Sequence, residues 1–331
     1  MNELKLENDS CIVGKYLKDV PEEYFREARL TGFGGSDAGA IMGLNQYSSA
    51  FTVVNDKLNP EKEGISNKST KRGKRMEPVI RESLATWIKE EQGIDIQVFE
   101  SPWQYRSVVN EFMIADIDGL VIHPKSGLSL LEIKTATEMV GDKWEDGSIP
   151  DSYYAQVQHY MFVTGLRMCL VAVMIGLDFE YRYIPYNESF VKEMIAKEEN
   201  LWNNFVMKKL LPIPSGIDAE NEILNNKYGN PVQETIDIPE LSDDAAEYLY
   251  LNEQKKEIET QKDAIAGKFK DALKDAKRGD MKGYYALWSR FDTTGFDKEK
   301  FQSENPELYQ KYVTKSRGSR LMIKAAKDGK K

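Results

Sequence analysis

The chain is poor in the residues that build covalent or soft-metal frameworks. Among 331 residues it has two cysteines, Cys11 and Cys169, and two histidines, His123 and His159. Two thiols so far apart exclude a disulfide framework and fall short of the four thiolates of an iron–sulfur cluster. Two imidazoles argue against a histidine-rich zinc site, so any metal is expected to be hard and oxygen-bound: Mg²⁺, with Mn²⁺ as a substitute. Long apolar runs are also missing. The stretch "MCLVAVMIGL" from Met168 is far shorter than the ~20 residues that span a bilayer. The N-terminus "MNELKLENDS" is charged with no apolar stretch behind it, which reads as a cytoplasmic chain with no membrane partner. Surplus positive charge is the third absence. A formal charge of −9 argues against a non-specific nucleic-acid coat. It leaves room for one local basic groove, because "NKSTKRGKRMEP" gathers five Lys and Arg between residues 67 and 78.

What is present suffices for a core: 41% of the residues are hydrophobic, enough for one large domain or two ordinary ones. The run "PEEYFREARL" from Pro21 reads as a helix with proline in its first turn. In "TGFGGSDAGAIMGL" the glycines break that helix, and Ser36 or Asp37 can cap a new one through Ile41. Residues 70–91 carry Met76, Val79, Ile80, Leu84, Trp87 and Ile88 at helical spacing. Short strands are predicted at 94–99, 111–115, 118–123 and 128–134, then a helix over 151–164, then strands in "CLVAVMIG" and "FEYRYIPY". Strands bracketed by helices imply a mixed sheet in an α/β core. The break "LPIPSG" marks a linker at 211–217, separating residues 1–210 from an extension over 218–331. That extension includes a long charged helical stretch over 241–277, with Leu251, Ile258, Ile265 and Ala272 at heptad intervals but Lys255 and Lys262 in the alternate seam positions.

The informative stretch is "IADIDGLVIHPKSGLSLLEIKT", residues 114–135, which sets Asp118, Glu132 and Lys134 in apolar strand. An unpaired buried charge costs several kcal/mol or titrates away. A hairpin through "HPKSG" brings Asp118 beside Glu132, and Glu132 and Lys134, two apart, leave one face of their strand. Two carboxylates with the Ile133 carbonyl between them can hold an octahedral Mg²⁺, with the lysine beside the attacking water and the scissile phosphate. A solvent-facing strand with a cross-strand ion pair is the plainer alternative. In "SYYAQVQHYMFVTG" Gln156 and Tyr160 share a helical face, and Glu77 is a further carboxylate on the long helix.

In order, "ARLTGFGGSDAGAIMG", "RGKRMEP", "ADIDG", "LLEIKT" and "YYAQVQHYMFVTG" resemble the PD-(D/E)xK nuclease superfamily, and within it the lambda exonuclease-like, YqaJ-type viral recombinase nucleases. The likeness covers residues 22–210. It implies a restriction-endonuclease-like fold, a mixed β-sheet core flanked by helices; the mostly helical C-terminal extension lies outside the lambda exonuclease likeness, and its aromatics and terminal Lys and Arg are open to two readings, contact with DNA or a partner and a small core with a solvated edge. It implies Asp118, Glu132, Ile133 and Glu77 at the metal, and Lys134 as the catalytic lysine. Gln156 and Tyr160 match the family's QxxxY element. Arg29 and Ser36 fall where the family grips a DNA phosphate, and Ser36 stands at a glycine-rich helix start. The basic run Lys68, Lys71, Arg72, Lys74 and Arg75 can track the backbone of double-stranded DNA. The implied activity is a Mg²⁺-dependent 5′→3′ double-strand exonuclease of phage-type recombination, working beside a RecT/Redβ-type single-strand annealing protein and forming trimers. Two departures stand out: Asp116 replaces a serine that helps hold the terminal phosphate in lambda exonuclease, and no arginine follows Lys134 in "TATEMVGDKW". Endonuclease cleavage, or an inactive DNA-binding module of the same fold, stays open.

Overall fold

A computed structural model of the chain describes residues 2–60, 68–137, 144, 147–229, 234–314 and 320–326, with the side chains of 68–70 outside the described set. The chain forms two units, Met1–Gly229 and Asn230–Lys331.

The first unit begins with β1 (Cys11–Tyr16), α1 (Glu22–Leu30), α2 (Gly35–Ile41), α3 (Ala50–Leu58) and α4 (Lys68–Gln92). Five strands follow: β2 (Gln97–Phe99), β3 (Trp103–Ser107), β4 (Ile114–Asp116), β5 (Gly119–His123) and β6 (Gly127–Ala136). Then come α5 (Asp151–Thr164), β7 (Met168–Ile175), β8 (Asp178–Pro185), α6 (Glu188–Leu201) and α7 (Asp218–Lys227). Strands β2-β5-β6-β7-β8 form a mixed sheet in which only β6 and β7 run parallel. A strand inside such a sheet is covered on both faces and needs apolar residues at successive positions, and β7 is buried from Cys169 to Met174. Along β6 the pleat sorts the residues. Leu131 and Ile133 join Ile80, Leu84 and Ile88 of α4 in one core, while Leu130 joins Val157 and Met161 of α5 in another. The second sheet, β1-β3-β4, is antiparallel and contributes Tyr105 and Ala115 to the α5 side.

The long helix, the α5 helix and the mixed sheet match the expectation. Strands β1 and β3 and helix α3 are additional. The compact units part between Gly229 and Asn230, beyond the expected linker at 211–217. The reason is Glu220 of α7, a buried carboxylate that accepts hydrogen bonds from Ser49 Oγ (2.5 Å), the Ser215 amide (3.0 Å) and the Gly216 amide (2.6 Å). These bonds clamp the proline-rich break onto α3.

The second unit holds α8 (Ser242–Leu273), a hairpin of β9 (Arg278–Met281) and β10 (Tyr284–Leu287), and the short helices α9 (Lys298–Glu304) and α10 (Pro306–Tyr312). Gly283, at φ +78°, makes the two-residue hairpin turn. On α8 Leu273 is buried, whereas Leu251, Ile258 and Ile265 are exposed. Among the described residues no helix is long and apolar enough to cross a membrane.

Candidate functional site

The β5–β6 hairpin pairs Gly119 with Leu131 and His123 with Gly127. Strand β6 continues past the start of β5 to Ala136, held on its other edge by β7. The Ile133 amide therefore lies beyond the β5 ladder, and it donates to Asp118 Oδ2 at 2.7 Å. Gly119 permits this turn into the strand, because a Cβ there would lie 2.4 Å from the Phe99 carbonyl oxygen. The result is the expected juxtaposition of Asp118 and Glu132. Burial and the neighbouring Asp118 charge push the Glu132 carboxyl up to about 8. Asp118 is itself pushed up by burial, against the pull of Lys134.

Glu132 and Lys134 point to the α5 side of the sheet, where the polar positions of that helix meet them. Lys134 Nζ lies 2.5 Å from Glu132 Oε1 and 3.1 Å from Gln156 Oε1, and sits 4.6 Å over the Tyr153 ring. Gln156 Nε2 donates to Glu132 Oε1 at 2.7 Å and to the Tyr160 hydroxyl at 3.2 Å. Burial disfavours the lysine charge, but Glu132 and Asp118 outweigh it and hold the ammonium above its ordinary range. One Glu132 oxygen thus accepts two hydrogen bonds, while Oε2 is buried with no partner among the described residues. A bare carboxylate oxygen in that position is expensive unless a cation meets it.

Glu77, on the edge of α4, lines the same cleft, and burial together with the Asp118 charge pushes it up to about 7. It is ion-paired with Arg81, a buried guanidinium that also lies 3.6 Å from Glu100. Among the described residues no three His, Cys, Asp or Glu side chains form a metal cluster on their own. The available donors, two carboxylates and a backbone carbonyl, suit an ion that keeps most of its water.

At the other end of the cleft, Arg29 donates to Ser36 Oγ and lies 3.8 Å from Asp37. Asp37 also takes the Gly34 amide (3.0 Å) and the Lys57 ammonium (3.0 Å), so the chain's own carboxylate occupies the amide at the start of α2. Gly35 lets this segment close on α5, since a Cβ would sit 2.4 Å from the Tyr160 ring. Asp116, at the end of β4, lines the cleft beside Arg29 and accepts from Gln104 at 3.1 Å.

One cleft of about 660 Å³ therefore gathers Arg29, Ser36, Glu77, Asp118, Glu132, Ile133, Lys134, Gln156 and Tyr160. Arg72 and Arg75 are not part of it. They line a separate recess with Lys71 and Met76, whereas Gly73 and Lys74 face the cleft. The helical period explains the separation: Lys74, Glu77 and Arg81 are three and four apart and share a face, and Arg72 and Arg75 fall on another. The Lys68 side chain lies outside the described residues. Arg81 was not anticipated, although a basic residue four after Glu77 is a readable ion-pair spacing.

The YqaJ-like viral recombinase domain family matches residues 24–167. The uncharacterized protein YqaJ of Bacillus subtilis (strain 168) is 28% identical over 320 residues, covering 95% of this chain and 97% of that protein. Among solved structures, an alkaline exonuclease from Laribacter hongkongensis is 19% identical, covering 62% of this chain and 98% of that one at a TM-score of 0.43. A phage related exonuclease from Haemophilus somnus 129PT is 12% identical, covering 56% of this chain and 99% of that one at a TM-score of 0.37. The family match runs from α1 to just past α5 and takes in every anticipated cleft residue from Arg29 to Tyr160. Residues 24–167 of this chain are thus similar to the YqaJ-like viral recombinase domain.

Proposed function

We propose that the cleft hydrolyses DNA phosphodiester bonds with a divalent cation, as a 5′→3′ exonuclease on duplex ends. The observation that carries this reading is Glu132, whose one oxygen is fixed by Lys134 and Gln156 while the other is buried and bare beside the Asp118 charge. Asp118, Glu132 and the Ile133 carbonyl would hold Mg²⁺, or Mn²⁺ in its place, with Glu77 as a further carboxylate. When bound, such an ion polarises the phosphate and lowers the pKa of water. The remaining work falls to side chains. Lys134, kept cationic by Glu132, stabilises the negative charge that builds on the scissile phosphate oxygens. Gln156 and Tyr160 fix the orientation of Glu132. Glu77, with its pKa near neutrality, orients the attacking water by accepting a hydrogen bond. Arg29 and Ser36 contact the DNA backbone.

The recombinase-domain match supports a place in phage-type homologous recombination. By the same resemblance the reading extends to a RecT/Redβ-type single-strand annealing partner and a trimeric assembly. One observation favours cleavage that depends less on ends, and hence an endonuclease: the carboxylate of Asp116 inside the cleft. The test uses linear duplex and closed circular DNA in Mg²⁺ or EDTA. Mg²⁺-dependent nucleotide release from linear DNA alone is the expected result, nicked circles support the endonuclease, and no cleavage in Mg²⁺ or Mn²⁺ leaves only a DNA-binding module.

A further inference from the structure

The charge balance of the cleft bears on which DNA ends it accepts. Among the described residues, each cation lining the cleft already faces a carboxylate. Lys18 lies 2.7 Å from both Glu3 and Glu100, and Arg81 pairs with Glu77. Lys134 pairs with Glu132, and Lys74 reaches Glu22 at the exposed rim at 3.4 Å. Arg29 is matched twice: Asp37 lies 3.8 Å away, and Asp116 stands in the same cleft, close enough to act on the guanidinium. Lys57, near this end, is bonded to Asp37. Each described cation that lines the cleft is thus matched by a carboxylate.

We infer that Asp116 is a specificity-determining residue that turns the Arg29–Ser36 end of the cleft against a terminal 5′-phosphate and toward DNA carrying a 5′-hydroxyl. This rests on the DNA-nuclease reading of the cleft. A terminal phosphomonoester brings about −1.5 to −2 charges near neutral pH, whereas a hydroxyl brings none and can donate a hydrogen bond to a carboxylate. Gln104 fixes Asp116 in place, so the carboxylate cannot swing away at little cost when a phosphate enters. Discrimination of this kind is a built-in repulsion rather than an added attraction.

The experiment uses the full chain and two blunt duplexes identical except for a 5′-phosphate or a 5′-hydroxyl. Binding is read by fluorescence anisotropy in Ca²⁺ and cleavage in Mg²⁺. The wild-type protein is expected to bind and cleave the hydroxyl end at least as well as the phosphorylated one. Asp116→Asn, which keeps an acceptor for Gln104 but removes the charge, should shift the ratio toward the phosphorylated end by about tenfold, and Asp116→Ser should do the same. A wild-type preference for the phosphorylated end, or a ratio unmoved in both variants, overturns the inference. The binding ratio in the wild-type protein decides the matter even if a variant fails to fold. The two readings also fail differently: absence of cleavage on both duplexes sinks the nuclease reading while the binding ratio still judges Asp116.

Discussion

At the scale of single residues, the account turns on charges held where water is scarce. Lys134→Ala is expected to lower cleavage by about a hundredfold or more while the circular dichroism spectrum stays native. Without its lysine, which lowers the Glu132 pKa, Glu132 keeps its proton to still higher pH and no unpaired charge is left in the core. The same carboxylate makes stability depend on pH. Its folded pKa, about 8, lies above the ordinary 4.5. Its contribution to stability is therefore full below about 4.5 and is lost as pH rises toward 8. The metal-free protein should melt at progressively lower temperature across that window, Mg²⁺ should restore the loss at the alkaline end, and Glu132→Gln should flatten both effects in a thermal melt. A pH-independent melting curve for the metal-free wild type would contradict the burial of that charge. Asp118, Glu132 and Lys134 were legible in the sequence because they interrupt apolar strand at a spacing a hairpin can close. Arg81 was readable as a partner of Glu77 from its spacing four residues on in α4, whereas bringing Asp116 beside Arg29 needs the packing of β4, which no local pattern encodes.

At the scale of elements, α4 and α5 cover opposite faces of the mixed sheet, and their different jobs predict different failures. Leu84 is fully buried between α4 and the sheet, so Leu84→Ala should cost about 2–5 kcal/mol in urea denaturation. Gly35 instead marks where α2 meets the Tyr160 ring. Gly35→Ala must displace the ring or the helix, and it should reduce cleavage by a larger factor than a comparable loss of stability elsewhere, as measured by activity and melting on one preparation. The long periodic elements were readable: α4 from Ile80, Leu84 and Ile88, and β7 from its unbroken apolar run. Strand β1 was not, because "CIVGKY" is short, shows no apolar–polar alternation in its residue types although its burial alternates, and gains its identity from pairing with β3 far along the chain. Helix α3 escaped notice although Ser49 caps it through Thr52.

At the scale of the whole molecule, the proline-rich break at 211–217 reads locally as a linker, yet Glu220 ties it back to Ser49. That bond joins residues far apart in the chain, which is why the boundary could not be read from composition. A chain ending at Gly229 is expected to fold and to retain metal-dependent cleavage, since the β1-β3-β4 and β2-β5-β6-β7-β8 sheets and the described lining of the cleft lie within it. A chain ending at Pro214, which removes Glu220 and its amide partners, should melt at a clearly lower temperature. Equal stability of the two truncations would remove the clamp from the account. The central claim is that a carboxylate pair takes a divalent ion at the end of the β5–β6 hairpin, and calorimetric titration of Mn²⁺ into the full chain tests it most directly. The account predicts saturable binding to the wild-type protein that is abolished in Asp118→Asn and in Glu132→Gln; undiminished binding in both variants, or none in the wild type, would contradict it.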